Sequence, residues 1–212
     1  MALPAPSHEA AQGDAVISPL ILSTFGIVFL AELPDKTSLA ALALATRYPG
    51  RQVILGAWLA FLIQTLVACL AGSLLQLLPT LPVRIAAGVG FLVFAVLALR
   101  RKEQKDLKEE ELEVSRTQRR QWPPWIASFF VVFAAEWGDL TQLATAALVA
   151  QTGEPIPVGI GAVLALWSVT VLAVTAGSQL ARFFTQNLLN RVSAGLFAAV
   201  GSIVIITSLA AR

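Results

Sequence analysis

Residues 29–37 read FLAELPDKT, and residues 133–141 repeat the pattern as FAAEWGDLT. Each copy places a glutamate and an aspartate three positions apart inside an apolar run: Glu32 with Asp35, and Glu136 with Asp139. Because a carboxylate at membrane depth is costly to bury, it indicates a functional site by default. Two matched pairs of carboxylates therefore predict a site that binds a cation.

The composition around these copies is that of an integral membrane protein. The 212 residues are 57% hydrophobic and 13% charged, whereas soluble domains carry about 25% charged residues. The mean hydropathy is +0.75. The isoelectric point of about 9.0 comes from basic residues in loops between apolar runs, where they orient a membrane protein. The expected partner is therefore the lipid bilayer, and nucleic acid is not expected.

Six apolar segments predict six transmembrane helices, since a span needs about 20 residues. They are residues 19–46, 53–77, 82–100, 124–150, 156–180 and 190–210. The first and fourth segments are longer than a span requires, and each contains a helix breaker, Pro34 or Gly138. Proline removes a backbone donor and disfavours helix at the preceding residue. We therefore expect the first and fourth helices to be broken at the repeated stretch.

Basic residues predict how the chain sits in the membrane. They concentrate in the loops after the first, third and fifth segments, and only Arg84 and Arg212 fall on the other side. Because cytoplasmic loops carry the excess of lysine and arginine, both termini are expected outside and the central loop in the cytoplasm. No basic residue precedes the first segment, so a signal peptide is not expected. Two prolines and two acids in residues 1–18 predict a flexible tail instead. The absence of a targeting extension favours a prokaryotic plasma membrane.

The two halves of the chain resemble each other beyond the repeated stretch. Gly56 and Gly161 lie 105 positions apart, close to the 104 positions that separate Glu32 from Glu136. We therefore predict a first three-helix repeat over 19–100, a charged cytoplasmic linker over 101–122 and a second repeat over 123–212. Because three is odd, the two repeats cross the membrane in opposite directions. In such inverted repeats, binding sites lie near the midplane on broken helices.

The repeated stretch has the chemistry of a divalent-cation site. Residues at i and i+3 share a helix face, so each carboxylate pair can point together. Four carboxylates in a low-dielectric site repel one another and are expected to hold protons that a divalent cation displaces. Carboxylate, hydroxyl and amide oxygens suit Mn²⁺, Ca²⁺ or Mg²⁺. The neighbours expected to support the site are Thr37, Ser38, Thr141 and Gln142 as neutral oxygens, with Lys36 as a charge partner.

Thr37 and Thr141 have two possible roles. Their hydroxyls could bind the ion or could donate hydrogen bonds to helix carbonyls. The single histidine of the chain, His8, lies in the tail and not near the acids. This disfavours zinc or copper as the ion. No cofactor is expected beyond the transported ion.

The duplicated pattern of Glu, a hydrophobic residue, Gly, Asp, Lys or Arg, and Thr or Ser resembles a known family. This family of cation/proton exchangers includes Golgi manganese/calcium transporters and bacterial manganese exporters. The resemblance implies export of Mn²⁺ or Ca²⁺ in exchange for protons. It also implies that the acidic ligands are Glu32, Asp35, Glu136 and Asp139. The chain departs from the pattern twice: Pro34 replaces the usual glycine, and Leu140 replaces the usual basic residue.

Two other functions fit six helices with buried acids. An exporter of another cation or of a basic amino acid would have a roomier pocket, which Mn²⁺ would not compete for. An intramembrane lipid pyrophosphate phosphatase would need phosphate-binding arginine near the acids, and no arginine lies in the apolar segments near them. We therefore predict that the chain is not an enzyme.

Overall fold

The structure is a computed structural model that describes residues 8–32, 44–45, 47–77, 80–100, 122–183 and 186–210. Within these ranges it contains seven helices and no strand, which confirms the all-α prediction. The helices are α1 (His8–Glu32), α2 (Gly50–Leu75), α3 (Thr80–Arg100), α4 (Pro124–Ala135), α5 (Leu140–Thr152), α6 (Pro155–Phe183) and α7 (Gln186–Ala210).

The start of α1 differs from the flexible tail expected over residues 1–18. The helix begins at His8 and contains Pro19. Alanine is the strongest helix former, and Ala10, Ala11 and Ala15 lie in this stretch. The helix therefore extends well before the apolar segment.

Among the described residues, two helices are long and apolar enough to cross a membrane, Gly50–Leu75 and Pro155–Thr175. Four shorter apolar helices accompany them in the described part of the chain: Ser18–Glu32, Leu81–Leu97, Pro124–Ala135 and Ala194–Ala210. Pro124–Ala135 is short because the fourth apolar segment is divided between α4 and α5, as its glycine predicts. The corresponding part of the first segment, residues 33–43, and the central linker lie outside the described residues.

The helices pack in a pattern that links the two halves of the chain. α1 packs on α6, α2 packs on α4 and on α6, and α3 packs on α7. Val28, Val53, Val132 and Ala162 are fully buried where these helices meet. Phe91 and Phe197 join α3 to α7, with ring centroids 6.1 Å apart. The core therefore lies between the halves.

Two glycines at matching positions of the two halves allow close helix contacts. A Cβ on Gly161 would lie 2.6 Å from the Ile21 carbonyl oxygen, so α6 and α1 touch backbone to backbone. A Cβ on Gly56 would overlap the Trp125 carbonyl oxygen, so α2 and α4 meet in the same way. Small residues allow this approach in membrane proteins. These contacts hold α1 and α4, the helices that carry Glu32 and Glu136, against α6 and α2.

Trp58 of α2 and Trp167 of α6 form a reciprocal pair. Their rings stack with centroids 4.5 Å apart. The Trp58 indole donates to the Trp167 carbonyl oxygen at 3.2 Å, and the Trp167 indole donates to the Trp58 carbonyl oxygen at 3.1 Å. Buried indole N–H groups need an acceptor, and here each helix supplies one to the other. The pair therefore has a packing role.

Candidate cation site

The break between α4 and α5 is a short turn. α4 ends at Ala135, and the Glu136 N–H still donates to the Val132 carbonyl oxygen at 3.0 Å. Gly138 then adopts φ 75°, a conformation that costs other residues about 1–2 kcal/mol. Glycine at this position therefore allows the chain to leave one helix and start the next.

Asp139 begins the second helix. Its backbone is extended, and its carboxylate accepts a hydrogen bond from the Thr141 N–H at 3.3 Å. Aspartate is a preferred N-cap because its oxygen satisfies a backbone donor that has no partner in the helix. Glu136 and Asp139 are therefore brought together by a turn, whereas the sequence spacing had suggested one helix face.

Three carboxylates from two segments of the chain converge here. One carboxylate oxygen from each of Glu32, Glu136 and Asp139 lies within 4.8 Å of the others. Glu32 and Glu136 are buried, and Asp139 is partly exposed. Like charges this close repel strongly in a medium of low dielectric. The group is therefore suited to hold a divalent cation or protons.

Two helix ends of opposite partial charge lie at the break. α4 ends directly before Glu136 with partial negative charge, whereas α5 begins after Asp139 with partial positive charge. In membrane transporters, the C-terminal ends of half-helices coordinate cations. The end of α4 therefore favours a cation at the carboxylates.

Two of the predicted supporting residues lie at the break. Thr141 is buried, and its hydroxyl lies 3.5 Å from the Asp139 carboxylate. The Gln142 side-chain oxygen accepts from the Gly138 N–H at 2.7 Å, and its amide nitrogen donates to the Gln64 carbonyl oxygen at 3.3 Å. Thr141 is therefore placed to support Asp139, while Gln142 holds the turn.

The remaining predicted site residues belong to the first copy of the repeated stretch. They lie outside the described residues: Asp35, Lys36, Thr37 and Ser38, together with Pro34.

A small cavity adjoins Glu136. Its volume for the centre of a water-sized sphere is about 10 Å³, close to the room for one water molecule. Glu136, Thr141 and Gln142 line it on one side, and Phe61 and Gln64 of α2 line it on another. The space has room for a single ion.

Gln64 is the main site residue that the repeated stretch did not reveal. It is 3% exposed, and its amide nitrogen donates to the Phe133 carbonyl oxygen at 3.0 Å, in the last turn of α4. Thr65 and Thr145 line the same cavity. In the sequence, Gln64 could have been found as an amide inside an apolar run, since polar groups at membrane depth mark functional positions.

Residues 20–106 and 124–212 match the family described as divalent cation/proton antiporter GDT1. The chain belongs to this family. The resemblance inferred from the repeated stretch is thereby confirmed. GDT1 proteins are membrane-integral transporters, so the prediction that the chain is not an enzyme is also confirmed. Divalent cations and protons are the ligands that the family description gives.

Relatives in the GDT1 family come from a cyanobacterium and from chloroplasts. The chain is 32% identical over 184 residues to GDT1-like protein sll0615 of Synechocystis, covering 81% of this chain and 89% of that protein. It is 31% identical over 210 residues to the chloroplastic PAM71-homolog of Arabidopsis thaliana, covering 86% of this chain and 58% of that protein. The chain therefore spans little more than half of the Arabidopsis relative. No solved structure is significantly similar to the chain.

Proposed function

We propose that this GDT1 protein exports Mn²⁺ from the cytoplasm in exchange for protons, with Ca²⁺ as a second substrate. The observation that carries the proposal is the convergence of Glu32, Glu136 and Asp139, whose carboxylate oxygens lie within 4.8 Å of one another. The family description, a divalent cation/proton antiporter, supports the same chemistry. Oxygen ligands of this kind suit hard divalent ions.

The proposed ligands are Glu32, Asp35, Glu136 and Asp139, with Thr141 as a neutral supporting ligand. Thr37 and Ser38 would act in the same way in the first copy, with Lys36 beside Asp35. Mutual repulsion favours protons on the empty carboxylates, and a divalent cation displaces them. Exchange of cation for protons therefore needs no separate proton carrier.

The proposed architecture is a pair of inverted three-helix repeats, 19–100 and 123–212, joined by the cytoplasmic linker. The glycine contacts support it, because Gly56 meets α4 through Trp125 as Gly161 meets α1 through Ile21. Trp125 lies 104 positions after Ile21, the spacing of the two glutamates. The concentration of basic residues in three loops supports an orientation with both termini outside. Such a protein would work in a prokaryotic plasma membrane, and the Synechocystis relative is consistent with that.

The test is uptake of Mn²⁺ and of Ca²⁺ into proteoliposomes with an imposed pH gradient. Wild type is compared with Glu136→Gln and with the matched control Glu154→Gln, an exposed glutamate in the loop after α5. We expect gradient-driven flux in wild type and in the control, and its loss in Glu136→Gln. Full flux in folded Glu136→Gln, or no flux of either ion in wild type, would refute the proposal.

A further inference from the structure

We propose that the side-chain oxygen of Gln64 is a neutral ligand of the transported ion, and that α2 thereby contributes to ion selectivity. The inference rests on the proposed function, since it assigns one more ligand to the same site. It concerns a residue outside both copies of the repeated stretch.

The hydrogen bond to α4 orients the Gln64 side chain. The acceptor is the Phe133 carbonyl oxygen at 3.0 Å, and a carbonyl oxygen only accepts hydrogen bonds. The amide nitrogen must therefore face Phe133, and the amide oxygen must face away from it. The hydrogen-bond network thus distinguishes the amide nitrogen of Gln64 from its amide oxygen.

The cavity beside Glu136 gives that oxygen a function. Gln64 lines this cavity together with Glu136 and Thr141. Hard divalent cations take carboxylate and amide oxygens as ligands, so a cation held at Glu136 can also bind the side-chain oxygen of Gln64. The volume of the cavity, about 10 Å³ for the centre of a water-sized sphere, admits a single ion.

The backbone of Gln64 fixes its position relative to the break. Its carbonyl oxygen accepts from the Gln142 amide at 3.3 Å, and Gln142 in turn holds the Gly138 N–H at 2.7 Å. The side chain contacts the end of α4, while the backbone is tied to the start of α5. These bonds therefore fix the position of Gln64 relative to the turn that contains Glu136.

The second repeat offers no equivalent of this residue. With the spacing of Gly56 and Gly161, the position that matches Gln64 is Val169. A valine has no oxygen to offer in its side chain. The proposed ligand is therefore present in only one half, and it makes a nearly symmetric site chemically one-sided.

The test compares Gln64→Met with the matched control Gln76→Met. Methionine has nearly the volume of glutamine but lacks the amide. Gln76 follows the last residue of α2 and donates to the Val149 carbonyl oxygen of α5 at 2.8 Å. Each substitution therefore removes one glutamine–carbonyl bond that joins α2 to a neighbouring helix. Only Gln64 shares the cavity with Glu136.

Binding of Mn²⁺ and of Ca²⁺ to the purified full-length protein is measured by titration calorimetry, beside flux in proteoliposomes. We expect Gln64→Met to weaken Mn²⁺ binding by about ten- to a hundredfold, the usual range for groups that tune a metal site. We also expect it to change the ratio of the Mn²⁺ and Ca²⁺ affinities. Gln76→Met should leave both affinities within about twofold of wild type.

The outcomes separate this inference from the proposed function. Flux in wild type with unchanged ion affinities in Gln64→Met would overturn the inference alone, and equal losses in both variants would overturn it as a packing effect. Absence of flux and binding in wild type would instead overturn the proposed function. If Gln64→Met does not fold, Gln64→Asn carries the test, because it keeps the amide but is one carbon too short to reach both Phe133 and the ion. Unchanged affinities in Gln64→Asn would also overturn the inference.

Discussion

Glu136→Gln should make the empty protein more stable while it removes the response to the ion. At 4.8 Å and an effective dielectric constant of about 20, two ionised carboxylates repel by about 3.5 kcal/mol. Because bound protons relieve part of the repulsion between Glu136 and its two neighbouring carboxylates, we count one ionised pair. In a chain of this size, 1 kcal/mol moves the thermal midpoint by about 2–4 °C. The variant should therefore unfold at a higher temperature without ion, by up to about 7–14 °C.

The ion should narrow the difference between the two proteins. At a Mn²⁺ concentration of 100 times Kd, binding stabilises the folded state by about 2.7 kcal/mol, or about 5–10 °C. Wild type should gain this shift, and Glu136→Gln should gain almost none. The assay is thermal unfolding of the purified protein in detergent at one pH, with and without Mn²⁺. Glu154→Gln, at an exposed position, should behave as wild type in both conditions.

Two results would refute these expectations. If Glu136→Gln lowers the midpoint of the empty protein, then repulsion among the carboxylates does not outweigh the other effects of the substitution on stability. If the variant keeps the full Mn²⁺ shift, then the ion does not bind at Glu136.

Two glycine substitutions test the frame around the site by thermal unfolding and flux. Gly161→Ala should lower the midpoint by several degrees, since its Cβ would lie 2.6 Å from the Ile21 carbonyl oxygen and overpacking costs about 1–3 kcal/mol. Gly26→Ala, with nothing within 4 Å of its Cβ, should not, and equal midpoints would contradict the close contact. Gly138→Ala and Gly153→Ala both place alanine at positive φ in open space and should each cost about 1 kcal/mol, but only Gly138→Ala should also slow transport. Equal flux in these two variants would show that the shape of the break is unimportant.

The sequence predicted the break in the fourth segment because glycine is a local signal. Gly138 lies inside an apolar run and is flanked by two acids, so both the break and its position could be inferred. The sequence did not predict how the two acids are brought together. Their spacing of three suggested a shared helix face, but the N-cap preference of Asp139 divides the helix between them. The two carboxylates are close because a turn joins α4 to α5, and helix periodicity does not predict such a turn.

Gln64 could not be placed from the sequence because its role depends on tertiary contacts. It lies in a segment without an acid, and its counterpart in the other half is a valine. Comparison of the two halves therefore did not identify it as a site residue. Its proposed role depends on α4 passing close enough for the Gln64 amide to reach the Phe133 carbonyl oxygen. The extent of α1 was underestimated for a simpler reason: prolines and acids near the N-terminus suggested a tail, although alanines favour helix there.

The reciprocal pair of Trp58 and Trp167 gives the protein an optical probe of its own. Two indole rings stacked 4.5 Å apart couple their electronic transitions, so the pair contributes a circular dichroism signal that separated rings lack. One ring belongs to α2 and the other to α6, and any sliding of these helices changes the overlap. Near-ultraviolet spectra of the unlabelled protein can therefore follow the movement of one half against the other as an ion binds and leaves.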